Sequence, residues 1–254
     1  MKIETIQTGW TLVSSGVVDR STHQWKKAYT RLFQSKSTRI KVPVKCFYVT
    51  VLNHTFLIDA GWSKQVVNSA KKHLGFGLNF ANEPIMVKTE SAEYQLKEKP
   101  IDCILMTHLD CDHVSGVHDF TKKRIVCAKE EYEYAQTKKV RYGKLLNGLH
   151  FDFIDFKADD EAVFGKSSDI FEDGSVIAYW TPTHSAGSVI YKIVENEKYY
   201  LIVGDNGYMK ESWEKGILPG PLYNTENMLK CLAWINEKSK DENCLGILCA
   251  HENV

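Results

Sequence analysis

The chain has 254 residues, enough for one large domain with a sizeable core or for two small ones. Lys plus Arg and Asp plus Glu both number 32, so the formal net charge is zero, which argues against a nucleic-acid enzyme with its customary basic excess. At 43% hydrophobic and 25% charged residues, with no run approaching about 20 apolar residues, the composition is that of a water-soluble globular protein and not of a membrane-spanning one.

The N-terminus, MKIETIQTGWTLVSSGVV, has no uninterrupted apolar stretch. It reads as strand and turn, not as a secretory signal, so a cytoplasmic location is expected. The segment 45–61, KCFYVTVLNHTFLIDAG, predicts a hairpin with Asn53-His54 at its turn and Asp-Ala-Gly at its end. A helix is expected from Ser63 to about Leu74. The less regular stretch up to residue 100 carries exposed-looking Phe76, Phe80 and Met86. An apolar run, IDCILMT, then leads into the hexad His-Leu-Asp-Cys-Asp-His at 108–113. EEYEYAQTKK (130–139) predicts a helix. Residues 188–207 repeat the first hairpin's shape, with a polar Glu-Asn-Glu-Lys turn, and suggest two β-rich halves packed face to face. TENMLKCLAWINEKSK (225–240) predicts an amphipathic helix with Thr225 as N-cap and Met228, Leu229, Leu232 and Ile235 on one face. CLGILCAH predicts a short buried strand delivering His251. Seven cysteines, none in a C-x-x-C pair and several inside apolar runs, read as reduced core residues. No linker or low-complexity stretch interrupts the chain, so residues 1–254 are expected to form a single domain.

The hexad is the densest chemical signal. His108, Asp110, Asp112 and His113 are four metal-capable side chains within six residues. An extended strand would place His108, Asp110 and Asp112 on one face, and a turn at Asp112 would bring His113 to the same centre. Three more candidates end apolar runs: His184 in TPTHSAGS, Asp205 in LIVGDNGY and His251 in ILCAHENV. Cys111 is expected to point away and pack. His23, His54, His73, His118 and His150 have no motif around them.

Taken in order, HLDCDH, TPTHSAG, VGDNG and CAH resemble the metallo-β-lactamase superfamily, whose signature begins H-x-H-x-D-H. The resemblance spans about residues 44–251. It implies an α/β fold, a four-layer αββα sandwich of two mixed β-sheets flanked by helices. It also implies two divalent metal ions, one held by His108, residue 110 and His184, the other by Asp112, His113 and His251, with Asp205 bridging and Asp59 supporting. A narrower likeness is to the N-acyl homoserine lactonases, in which a Tyr stands three residues after the bridging Asp, as Tyr208 does here. That likeness implies a metal-dependent hydrolase opening a lactone or ester of a small molecule through a hydroxide held between the two metals. Tyr208 would donate to the carbonyl or oxyanion, and Asp112 would shuttle the proton to the leaving alkoxide. Phe76, Phe80, Met86 and Trp25 would line an apolar pocket. A homodimer is the candidate assembly; neither nucleic acid nor membrane is an expected partner.

Position 110 departs from the pattern, carrying Asp where the signature has His. Two divalent ions, one hydroxide and the carboxylates of Asp110, Asp112 and Asp205 would sum to zero charge, where the usual set leaves +1. Zinc is the expected metal, but a carboxylate here admits manganese or iron. Two rival readings follow: a di-iron protein that binds or reduces oxygen, and a metal-poor binding homologue.

Overall fold

The computed structural model describes residues 1–22 and 34–252, apart from the Lys36 side chain. One sheet contains β1 (Lys2–Ser14), β2 (Arg39–Val51), β3 (His54–Ile58), β4 (Glu83–Ile85), β5 (Cys103–Leu105), β6 (Arg124–Cys127) and β7 (Asp152–Phe153). Their order is β4-β1-β2-β3-β5-β6-β7. The other sheet contains β8 (Lys157–Ala158), β9 (Lys166–Asp169), β10 (Val176–Trp180), β11 (Val189–Glu195), β12 (Lys198–Gly204) and β13 (Cys244–Cys249). It runs β13-β12-β11-β10-β9-β8. Both sheets are mixed: β3, β5, β6 and β7 pair in parallel, as do β12 and β13, while the other pairs are antiparallel.

Strand alternation sorts the side chains into layers. Along β2, Phe47, Val49 and Val51 face the second sheet, where they meet Val189, Tyr191 and Ile202. Val44, Cys46 and Tyr48 face the opposite way, onto helices. After α1 (Ser15–Val18), that outer layer is made by α2 (Gln65–Leu74), α3 (Phe76–Ala81), α4 (Ala92–Gln95), α5 (Cys111–Val114), α6 (Lys129–Thr137) and α7 (Lys139–Tyr142). Leu201 and Val203 of β12 face α8 (Lys210–Lys215) and α9 (Thr225–Lys238). The result is helices, two mixed sheets, and helices again. No helix among the described residues is long and apolar enough to cross a membrane.

Local details differ from the sequence reading for physical reasons. In the first hairpin His54 pairs with Val51, so Leu52 and Asn53 form the turn, one residue earlier than expected. Leu52 takes the positive φ of 49° that this turn demands. In the second hairpin Asn196 and Glu197 adopt φ of 52° and 66°, as a two-residue hairpin turn requires. The N-cap of α9 is Asn224, not Thr225: its Oδ1 accepts from Asn227 N at 3.0 Å. The buried face of α9 is Met228, Cys231, Leu232 and Ile235, whereas Leu229 is 46% exposed. The 228–231–232–235 spacing keeps these four over the second sheet and turns residue 229 outward. β13 is half-buried, with Leu245 half-exposed, because it forms the sheet's edge.

Candidate metal centre

The centre gathers at the C-terminal ends of β5, β10, β12 and β13, where both sheets open toward the same side. The hexad is not a continuation of the strand. β5 stops at Leu105, and Thr107 N–H turns to Asp59 Oδ1 at 2.8 Å. His108 therefore stands on a loop. Asp110 is the residue before α5, whose turn is closed by His113 N and Val114 N donating to Asp110 O, each at 3.0 Å. Asp112 and His113 thus come from a helical turn instead of an extended strand. Cys111 packs in the helix-side core.

Asp59 organises the hexad from behind. It is buried and held at φ 58°. Its Oδ2 accepts from Thr107 Oγ1 at 2.7 Å and from His113 Nδ1 at 2.8 Å. With Thr107 Oγ1 donating to Asp59, the same oxygen accepts from His108 Nδ1 at 3.0 Å. His251 Nδ1 donates to Pro43 O at 2.8 Å. In all three rings the Nδ1–H is engaged, which leaves the Nε2 lone pair for a metal.

Those Nε2 atoms converge on Asp205. Its Oδ1 lies 3.2 Å from His113 Nε2 and 3.2 Å from His251 Nε2. Its Oδ2 lies 3.8 Å from His108 Nε2 and 3.7 Å from His184 Nε2. Asp112 Oδ2 is 3.6 Å from His251 Nε2. Two clusters of donor atoms result, His108–His184–Asp205 and Asp112–His113–His251. His108 Nε2, His113 Nε2 and Asp205 Oδ1 are buried and find no hydrogen-bond partner among the described residues. Buried polar atoms are seldom left so. A divalent cation would satisfy them, and the mixture of imidazole nitrogen and carboxylate oxygen suits zinc and its neighbours.

Asp205 is kept charged by the two imidazoles on its Oδ1 side. Burial would raise the Asp205 pKa, but His251 and His113 outweigh it and hold that carboxyl well below the usual range. Burial would lower His113, but Asp205 and Asp59 carry it well above the ordinary histidine value. Burial pushes the Tyr208 phenol well up, and Asp205 pushes it further. The Tyr208 ring stacks on His251 at 5.1 Å and meets the His184 ring edge-on at 6.2 Å.

Sequence reading missed the partner of Asp110. Arg141, on α7, grips that carboxylate at both oxygens: Nε to Oδ1 at 2.7 Å and Nη2 to Oδ2 at 2.8 Å. Asp110 Oδ2 also lies 2.9 Å from His184 Nε2 and 3.6 Å from His108 Nε2. Burial would raise the Asp110 pKa, but Arg141, with His108 and His184, holds it well below the usual carboxylate range. The extra negative charge inferred at position 110 is therefore met by a fixed positive one. Asp110 is absent from both donor clusters.

Glu131 was missed as well. It is fully buried on α6 and accepts from Leu109 N at 3.0 Å, Tyr142 Oη at 3.0 Å and Gly187 N at 3.1 Å. It thereby ties the hexad loop to the His184 loop. Gly187 permits the approach, since a Cβ there would fall 2.1 Å from Glu131 N. On the other side of that loop, Thr183 Oγ1 donates to Asn206 Oδ1, which links it to the Asp205 turn.

A cavity of about 880 Å³ opens from Asp112, Asp205, Tyr208 and His251. Its outer walls include Val13, Val17, Val42, Phe76, Leu78 and Phe80. Phe76 and Phe80, expected at an apolar pocket, are among its lining residues, with their rings stacked at 6.3 Å. Met86 packs instead against the helix-side core. Trp25 and His23 lie outside the described residues. His54 pairs with Asp173, His73 with Ser115 and His118 with Leu145 O, and none of the three belongs to either donor cluster.

The family model of the metallo-β-lactamase superfamily matches residues 39–242. The chain belongs to that superfamily. Within it, the chain is 25% identical over 233 residues to the N-acyl homoserine lactonase AttM of Agrobacterium fabrum, covering 86% of this chain and 84% of that one. It is 26% identical over 209 residues to the N-acyl homoserine lactonase AiiA of Bacillus thuringiensis subsp. kurstaki, with 80% and 79% covered. Among solved structures, an N-acyl homoserine lactone hydrolase with N-hexanoyl-L-homoserine at its catalytic metal centre superposes with a TM-score of 0.76 at 22% identity, covering 98% of this chain and 92% of that one. The dizinc lactonase AidC superposes with a TM-score of 0.66 at 12% identity, covering 98% and 86%. At those identities the structural likeness speaks for the fold.

Proposed function

We propose that this superfamily member is a metal-dependent hydrolase that opens a lactone or ester of a small, partly apolar molecule. The observation that carries the reading is Asp205, whose two oxygens each face a separate pair of imidazole nitrogens. In this reading His108, His184 and Asp205 hold one divalent ion, and Asp112, His113 and His251 hold the other, with zinc the preferred metal. Ions held there would supply Lewis acidity toward both the attacking water and the substrate carbonyl.

The remaining steps belong to side chains. Tyr208, its pKa raised by burial and by Asp205, keeps its proton at neutral pH and donates to the carbonyl oxygen as negative charge develops. Asp112, at the cavity floor, takes the proton of the attacking water and delivers it to the leaving alkoxide. In a lactone the alkoxide stays tethered, and the product is a hydroxy acid. Phe76, Phe80 and the valines of the outer wall exclude water and accept an aliphatic tail. The lactone preference draws its support from the relatives. The di-iron alternative rests on a carboxylate ligand at position 110, and the Arg141 pairing, which offsets the charge of that carboxylate, weighs toward the hydrolase reading.

The test is a screen of N-acyl homoserine lactones and aryl esters with zinc-, manganese- and iron-loaded protein. Hydrolysis of a lactone, lost on chelation and restored by zinc, is expected. A visible iron absorption band with no hydrolysis under any metal would contradict the reading.

A further inference from the structure

The two donor clusters are not equally prepared for a cation. At the Asp112 position, both histidines have their Nδ1–H fixed, His113 by Asp59 and His251 by Pro43 O. At the other position only His108 is fixed in this way. His184 Nδ1 is buried without a partner among the described residues, and its Nε2, the atom aimed at Asp205, lies 2.9 Å from Asp110 Oδ2. Arg141 stands directly behind. Its third nitrogen, Nη1, reaches the backbone carbonyl of His184 at 3.3 Å. The guanidinium side chain is only 22% exposed, so water screens its charge weakly. The pair's fork geometry engages both carboxylate oxygens and is the arrangement a lysine cannot reproduce.

We infer that Arg141 makes the two metal positions unequal: it competes with a metal ion for the Asp110 carboxylate and sets a fixed positive charge beside His108 and His184. A divalent ion then enters the Asp112–His113–His251 position first, and the His108–His184 position fills second and more weakly. This rests on the two-metal reading above. Arg141 is a positioning residue in this scheme, acting through Asp110 and His184.

The test is calorimetric titration of the metal-free full chain with zinc, repeated with cobalt, whose visible spectrum follows each position. The wild type should take up two ions in separable steps, the second weaker by on the order of tenfold or more. Arg141→Met removes the charge and frees Asp110 to coordinate, so the second step should tighten on the order of tenfold or more while the first stays put. Arg141→Lys keeps a charge but loses the two-point grip, and its second step should tighten less. Circular dichroism checks that each variant folds; if Arg141→Met does not, the lysine variant's second step must still tighten. Two equal steps in the wild type, or a second step that weakens or stays unchanged in the folded variants, would overturn the role of Arg141 alone. Absence of stoichiometric binding by the wild type would overturn the two-metal reading and this inference with it.

Discussion

On one side of Asp205 the protein has committed its ligands in advance. His113 and His251 have Nδ1 tied at 2.8 Å each, and Asp59, which ties His113, is itself buried and pinned by Thr107. On the other side His108 is tied in the same manner, while His184 is held at the wrong nitrogen by Asp110, which answers to Arg141. The same residue types thus make a preorganised position and a contested one. Ligand identity alone does not set metal affinity; the outer hydrogen bonds decide how much rearrangement binding requires.

The largest effect expected from breaking this contrast comes from the group common to both sides. Asp205→Ala should remove the shared carboxylate, lower metal content from two ions to one or none, and reduce hydrolysis by on the order of 1,000-fold or more. Elemental analysis beside turnover reads both; full retention of two ions would break the bridging role. Next comes the brace between the loops. Glu131→Ala leaves Leu109 N, Tyr142 Oη and Gly187 N without their acceptor, and should cost about 2–4 kcal/mol of unfolding free energy in denaturant titration. A loss below about 0.5 kcal/mol would show that water replaces the carboxylate freely. Tyr208→Phe should lower hydrolysis roughly 10- to 100-fold with metal content unchanged. Unchanged turnover would remove Tyr208 from the reaction.

Asp110→His sharpens the contrast in a different way. It supplies the imidazole that the superfamily pattern has at this position, but it leaves Arg141 without its carboxylate. Zinc retention at the second-filling position should therefore improve fully only when Arg141→Met is made as well. Equal gain from the single change would show that Arg141 exerts no opposition.

The smallest effect lies away from the centre. Burial, with His118 nearby, pushes His73 down to about 4. Because its folded pKa lies below the unfolded value, the unfolded chain takes up the proton first as pH falls. Stability should decline from about pH 6.5 toward pH 4, by roughly 1–2 kcal/mol after allowance for partial exposure. His73→Gln should flatten that part of the pH–stability curve.

The elements legible in the sequence are those whose partners are local. The hexad announces itself because its donors are adjacent, and both hairpins are written as apolar runs on either side of a short turn. The three later donors follow apolar runs, so strand ends could be read without knowing which strands are neighbours. Arg141 and Glu131 could not be read in this way. Arg141 meets Asp110 across 31 residues of chain from a four-residue helix with no motif. Glu131 sits in the first turn of an otherwise polar-looking helix, where an acidic residue is ordinarily a solvated complement to the helix dipole. Its partners Leu109, Tyr142 and Gly187 come from three separate segments, and an acidic residue meeting a Gly in a distant loop carries no sequence signal. The shift of the α9 cap from Thr225 to Asn224 is of another kind: both residue types cap well, and Asn224 is the one whose Oδ1 takes the Asn227 N–H.

The most direct measurement is an anomalous-scattering map at the zinc edge from crystals grown with zinc. Two peaks should lie on opposite sides of the Asp205 carboxylate, one among Asp112, His113 and His251, the other between His108 and His184 and weaker. A single peak, or peaks that do not share Asp205, would contradict the dinuclear centre.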